Sequence, residues 1–131
     1  MESQTLFFQE AWERTISLTD KEEIIKLFER SSSERKPGEV SFIPFRVALN
    51  YKGDILATVL IQNEVNSKVE LLDFSLSLFD KEGYIATESF SYSNIALPPN
   101  STMPWTFIFP REKLARDYID LHDWNVCWNE Q

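Results

Sequence analysis

The residues best equipped for chemistry lie near the end of the 131-residue chain: Asp120, His122 and Asp123, with Cys127 shortly after. His122 is the only histidine and Cys127 the only cysteine. A catalytic histidine needs a nucleophile or a proton partner, and a metal-bound one needs further ligands. The flanking aspartates invite a cation, but zinc sites draw on more His and Cys than this chain has. His122 is therefore expected on a surface loop and Cys127 as a small, half-buried core residue. Asp80 and Glu82 are a second candidate pair. They fall in Asp80-Lys81-Glu82-Gly83, a turn sequence, and carboxylates do acid–base work only when buried together. No phosphate-binding glycine loop, Gly-x-Ser-x-Gly elbow or Asp-x-Asp-x-Asp-Gly calcium loop occurs. No catalytic residue, no metal ligand and no cofactor is expected, and the protein is expected not to be an enzyme.

These residues hang on a chain patterned mainly for strands. The stretch Pro98-Pro99-Asn100-Ser101-Thr102-Met103-Pro104-Trp105-Thr106-Phe107-Ile108-Phe109-Pro110 delivers, through a proline-rich turn, a strand with Trp105, Phe107 and Phe109 on one side. Pro104 and Pro110 are expected to bracket it, since neither can donate within a ladder. Period-two runs also include Ile43, Phe45, Val47 and Leu49, then residues 55–62, apolar on both faces and so central. Leu72, Phe74, Leu76 and Leu78 form a further run, residues 84–92 another, and Trp124, Val126 and Trp128 the last. Residues 50–54 and 80–83 are turns. Residues 111–118 could make one or two helical turns.

Before Val40 the pattern is helical. A short turn around residues 10–17 puts Trp12 and Ile16 on one face. Thr19 and Glu22 fit a capping box opening a helix over residues 20–29, with Ile24, Leu27 and Phe28 as its apolar stripe. The expected fold is mostly β: an immunoglobulin-like antiparallel β-sandwich of about six to seven strands with one or two short N-terminal helices. It forms a single domain over residues 1–131, a helical cap (1–36) on a β-sandwich (40–128).

A net charge of −8 repels phosphate backbones and anionic lipid, so no nucleic acid and no membrane insertion are expected. The polar start of the chain and the single cysteine make cytoplasmic residence the default. Trp124 and Trp128 on the last strand are the candidate interaction surface, because an edge strand can be covered by a partner chain. A homodimer through an edge strand or exchanged helices is compatible with the sequence.

The runs Ile55-Leu56-Ala57-Thr58-Val59-Leu60-Ile61-Gln62-Asn63 and Leu71-Leu72-Asp73-Phe74-Ser75-Leu76-Ser77-Leu78-Phe79-Asp80-Lys81-Glu82-Gly83 resemble the SLAP domain. So do residues 86–90, the Pro-Pro-x-Ser-x-x-Pro-Trp-x-Phe-x-Phe stretch above and the early Trp12. The resemblance spans roughly residues 6–128. It implies a non-enzymatic protein of Bacillus-type Gram-positive bacteria, tied to accessory Sec-dependent secretion and S-layer assembly. Its implied partners are the secretion machinery or a surface-layer precursor. The competing expectation is a small-ligand or metal-binding carrier that uses the aromatic core of the β-sandwich.

Overall fold

The run that is apolar on both faces is a central strand, β3 (Ile55–Asn63), in the computed structural model, which describes residues 4–31, 36–91, 95–116, 119–120 and 122–128. It pairs antiparallel with β2 (Val40–Leu49) on one side and with β8 (Ser101–Phe109) on the other. Beyond β8 lies β1 (Thr5–Leu6), parallel to it. This gives a four-stranded sheet in the order β1-β8-β3-β2. A second sheet has the order β6-β5-β9, from β5 (Asp73–Asp80), β6 (Gly83–Ser91) and β9 (Trp124–Trp128). A third is the two-stranded pair β4 (Val69–Glu70) and β7 (Ala96–Leu97).

The mostly β expectation with two N-terminal helices holds, but the single immunoglobulin-like sandwich of six to seven strands does not. Among the described residues nine strands form three sheets. The difference is physical. Strands β1, β4 and β7 hold two residues each, too few to carry a period-two signal. They form where separate parts of the chain meet, as when Thr5 donates to the Asn100 carbonyl at 3.1 Å.

The inward faces of the two larger sheets enclose one aromatic-rich core. Ile55, Ala57, Val59 and Ile61 of β3 meet Leu76 and Leu78 of β5, with Ala86, Phe90, Met103, Phe107, Phe109 and Val126 around them. The Phe107 ring is fully buried and lies 5.0 Å from Phe90 and 5.8 Å from Phe74. Trp105 is half-buried and packs against the same cluster.

Two prolines lie inside strands. The ladder shifts register between Pro44 and Arg46, so Phe45 is an extra residue. The bulge reverses the parity of β2: Phe42 sits opposite Ile61 on the core side, and Ile43 opposite Leu60 on the other. The regular alternation expected through Ile43 and Phe45 is broken there. Pro104 does not precede its strand but sits in it, opposite Leu60. Phe7 donates to the Thr102 carbonyl, so the even-numbered backbone groups of β8 face away from β3. Pro104 shares that direction, and its missing N–H falls outside the β3 ladder.

Helices α1 (Glu10–Thr15) and α2 (Leu18–Arg30) precede the sheets. The cap of α2 is Ser17, whose side chain accepts from the Asp20 amide, not the expected Thr19. Arg46 of β2 binds Asp20 at 2.9 Å and Glu23 at 2.8 Å, drawing α2 over the outer face of the four-stranded sheet. Ile24 of α2 and Leu60 of β3 are both completely buried there, outside the inter-sheet core. After β8, residues 111–113 make one 3-10 turn. The rest of the helical segment expected up to Tyr118 is non-helical as far as 116, and residues 117–118 lie outside the described residues, as does Tyr92.

Candidate interaction surface

The carboxylates and the histidine named above build a latch rather than a reaction centre. Asp80, at the end of β5, has a fully buried side chain. Arg116 clasps it with both terminal nitrogens, at 2.5 and 3.1 Å. The amides of Glu82 and Asp120 also donate to it, at 2.9 and 3.0 Å. The Arg116 guanidinium foremost, then the Asp120 amide, hold the Asp80 carboxyl far below the usual carboxylate range, and Asp80 in turn raises Arg116. Asp120 accepts from the His122 amide at 2.8 Å and faces Lys81 at 3.4 Å. Its carboxyl is held low by that amide, against a smaller opposing effect of burial. The arrangement ties the segment after β8 to the β5–β6 turn, so the carboxylates of Asp80 and Asp120 already have structural work, while Asp123 is exposed. The His122 ring is exposed, as expected. Among the described residues no group of three or more His, Cys, Asp or Glu side chains could hold a metal ion.

Cys127 is corrected from half-buried to exposed. It stands opposite Ser77 on the outward face of β9, because Trp124, Val126 and Trp128 take the inward parity. The inter-sheet space that a carrier would use is filled by rings: Trp128 lies 4.8 Å from Phe42 and 6.0 Å from Phe74, and Phe42 lies 6.2 Å from Phe107.

The two tryptophans share β9, which pairs with β5 along one edge and ends the three-stranded sheet. On the same flank β2 ends the four-stranded sheet. Between these edges lies a groove of about 420 Å³, lined by Lys36, Glu39, Val40, Ser41, Phe42, Val126, Cys127 and Trp128. Trp128 is therefore half plug and half wall. Its ring closes the core, and its indole Nε1 donates to the Val40 carbonyl at 3.2 Å across the gap between the sheets. Trp124 is half-buried at the other end of β9 and lines a separate hollow with Phe79, Asp80 and Lys81. The groove was not legible in advance. β2 and β9 are far apart in sequence, and only the sheet order sets their edges side by side.

Two stacked sheets closed on aromatic rings, with carboxylates committed to structure and open strand edges on one flank, define a β-structured protein-interaction module. A family model, that of the SLAP domain, matches residues 6–130, and the chain belongs to that family. No curated protein and no solved structure matches the chain significantly. Membership makes it a non-enzymatic interaction module related to the accessory Sec system. It also overturns the cytoplasmic placement, since the family works in secretion and surface assembly. That placement rested on the polar start of the chain and the cysteine count, which do not say where its partners act. Among the described residues no helix is long and apolar enough to cross a membrane.

Proposed function

We propose that this chain is a single SLAP domain over residues 1–131, with a helical cap (1–36) on a β region (40–128), that engages a component of the secretion machinery or a surface-layer precursor. The surface is the β9 flank carrying Trp124 and Trp128. The observation that supports this is the groove between the β2 and β9 edges, where half-buried aromatic rings stand beside open strand edges. Aromatic side chains in such positions supply large contact area with little loss of conformational freedom.

The test is site-specific photocrosslinking from position 125, whose side chain is exposed on β9 between the tryptophans. It is carried out in a Gram-positive host that makes both an accessory secretion ATPase and a surface-layer precursor. An adduct with either, absent when the crosslinker sits at Lys52 on the remote β2–β3 turn, supports the reading. Adducts at neither protein, or equally from both positions, would overturn it. A homodimer through this flank would appear instead as an adduct of twice the chain mass.

A further inference from the structure

The free edge of β2 has a fixed chemistry. The Val40 carbonyl points away from β3, because it accepts from the Trp128 indole. The Glu39 carbonyl points toward β3, where it accepts from the Glu64 amide at 3.0 Å. Backbone groups alternate along a strand, so the N–H of Val40 and both the N–H and the carbonyl of Phe42 face outward. Pro44 falls on the same parity and offers no donor. The bulge at Phe45 and the Arg46 ion pairs to α2 follow. Among the described residues the edge is thus open over a short window and closed beyond it. From residue 39 to residue 43 it spans roughly 13 Å of strand.

On the proposed interaction reading, we infer that the β2–β9 flank takes its partner by strand addition: a short extended segment pairs its backbone with Val40 and Phe42 of β2. Alternate side chains of that segment face the groove wall of Phe42, Val126 and Trp128, which are apolar. The intervening ones lie on the side of β2 that carries Ser41, whose own hydroxyl is enclosed. A segment alternating apolar and hydroxyl-bearing residues meets both faces. Basic flanks suit a chain of net charge −8. A second copy of β2 is a poorer occupant, because two chains of net charge −8 repel each other.

The probe is an acetylated, amidated peptide, Lys-Val-Thr-Val-Thr-Val-Lys, titrated into the full chain labelled with ¹⁵N. Hydrogen exchange and amide shifts are read together. Strand addition expects saturable shifts and at least tenfold slower exchange at the Val40 and Phe42 amides, with the Ser41 amide, already turned toward β3, unchanged. Val40→Pro removes one outward donor at the first residue of β2 and is expected to weaken binding about tenfold. Should that variant not fold, a peptide N-methylated at its central valine gives the same readout on the unaltered protein. Binding without added protection at Val40 and Phe42 overturns the inference, as does no saturable binding, undiminished binding to a folded Val40→Pro variant, or self-association through these amides. The two proposals fail separately. Photocrosslinks to a secretion component that survive in Val40→Pro leave the interaction reading intact and reject strand addition, whereas loss of those crosslinks from the unaltered protein rejects the reading itself.

Discussion

Phe107→Ala and Ile108→Ala differ by one position on β8 and should differ several-fold in cost. Phe107 faces the core opposite Ala57 and has no exposed surface; Ile108 faces outward opposite Leu56 and keeps 47% of its surface exposed. Truncating a fully buried phenylalanine loses the transfer free energy of the ring and leaves a cavity, about 3–5 kcal/mol together. The upper part of that range applies, because three rings meet Phe107: Phe90 at 5.0 Å, Phe74 at 5.8 Å and Phe42 at 6.2 Å. Each such pair adds roughly 0.5–1.5 kcal/mol beyond area burial, and a gap bounded by both sheets cannot close without shifting β2, β5 or β6. For a domain of this size, with total stability on the order of 5–15 kcal/mol, the expected fall in Tm is roughly 10–20 °C. Ile108→Ala removes half-exposed methyl groups and should cost about 1 kcal/mol. Urea unfolding followed by far-UV circular dichroism and tryptophan fluorescence gives both values, provided the slopes match the parent. Equal losses in the two variants, or less than about 1.5 kcal/mol for Phe107→Ala, would refute the assignment of β8's faces.

The remaining expectations concern single devices. Asp80 is held below its ordinary pKa in the folded state, so its contribution is complete above the unfolded carboxylate value near 4 and is lost as pH falls through the folded value. Asp80→Asn should therefore flatten the decline of Tm between about pH 5 and pH 2, and an unchanged pH profile would remove the latch from the stability argument. Ser17→Ala should cost about 1 kcal/mol through loss of the α2 cap, whereas Thr19→Ala stays within about 0.5 kcal/mol; thermal melts that rank them the other way would restore the Thr19 cap. Gly53 has φ +89°, and an added Cβ would lie 3.0 Å from Arg111 Cδ. Gly53→Ala should destabilise by more than about 1 kcal/mol in urea, while a neutral result would place that backbone outside the left-handed region.

The long strands were legible because each buries one face or both over many residues. β3 is apolar throughout, and β5 alternates Phe74, Leu76 and Leu78 with serines whose hydroxyls pair outward, Ser75 with Ser89 and Ser77 with Thr87, at 2.8 Å. What was hidden is what one residue does to a pattern. The bulge at Phe45 inverts the parity of half of β2, so residues of identical character end on opposite faces. The Ser17 cap was missed because Thr19 with Glu22 fits the reciprocal box, whereas Ser17 caps by one bond alone, from the Asp20 amide, and the Asp20 carboxylate goes to Arg46. The tryptophans of β9 could be named from alternation alone. That Trp128 bonds across to Val40 depends on the order of strands in two sheets, which no local spacing encodes.

The prolines connect fold and surface. Pro44 and Pro104 both sit inside strands, and both place the missing donor on the side away from β3. In that position a proline leaves the β3 ladder whole while removing a hydrogen-bond donor from the exterior edge. β8 is shielded in this way just past the point where β1 ends, and β2 just past Phe42. The edges of the four-stranded sheet are therefore not uniformly blunted. On β2 the protected part begins where the groove ends, and the open part lies where Phe42 and Trp128 line it. An edge closed along its whole length would only prevent aggregation. One closed except beside an aromatic groove limits what can pair there to a few residues, and that restriction is what a selective strand-binding surface requires.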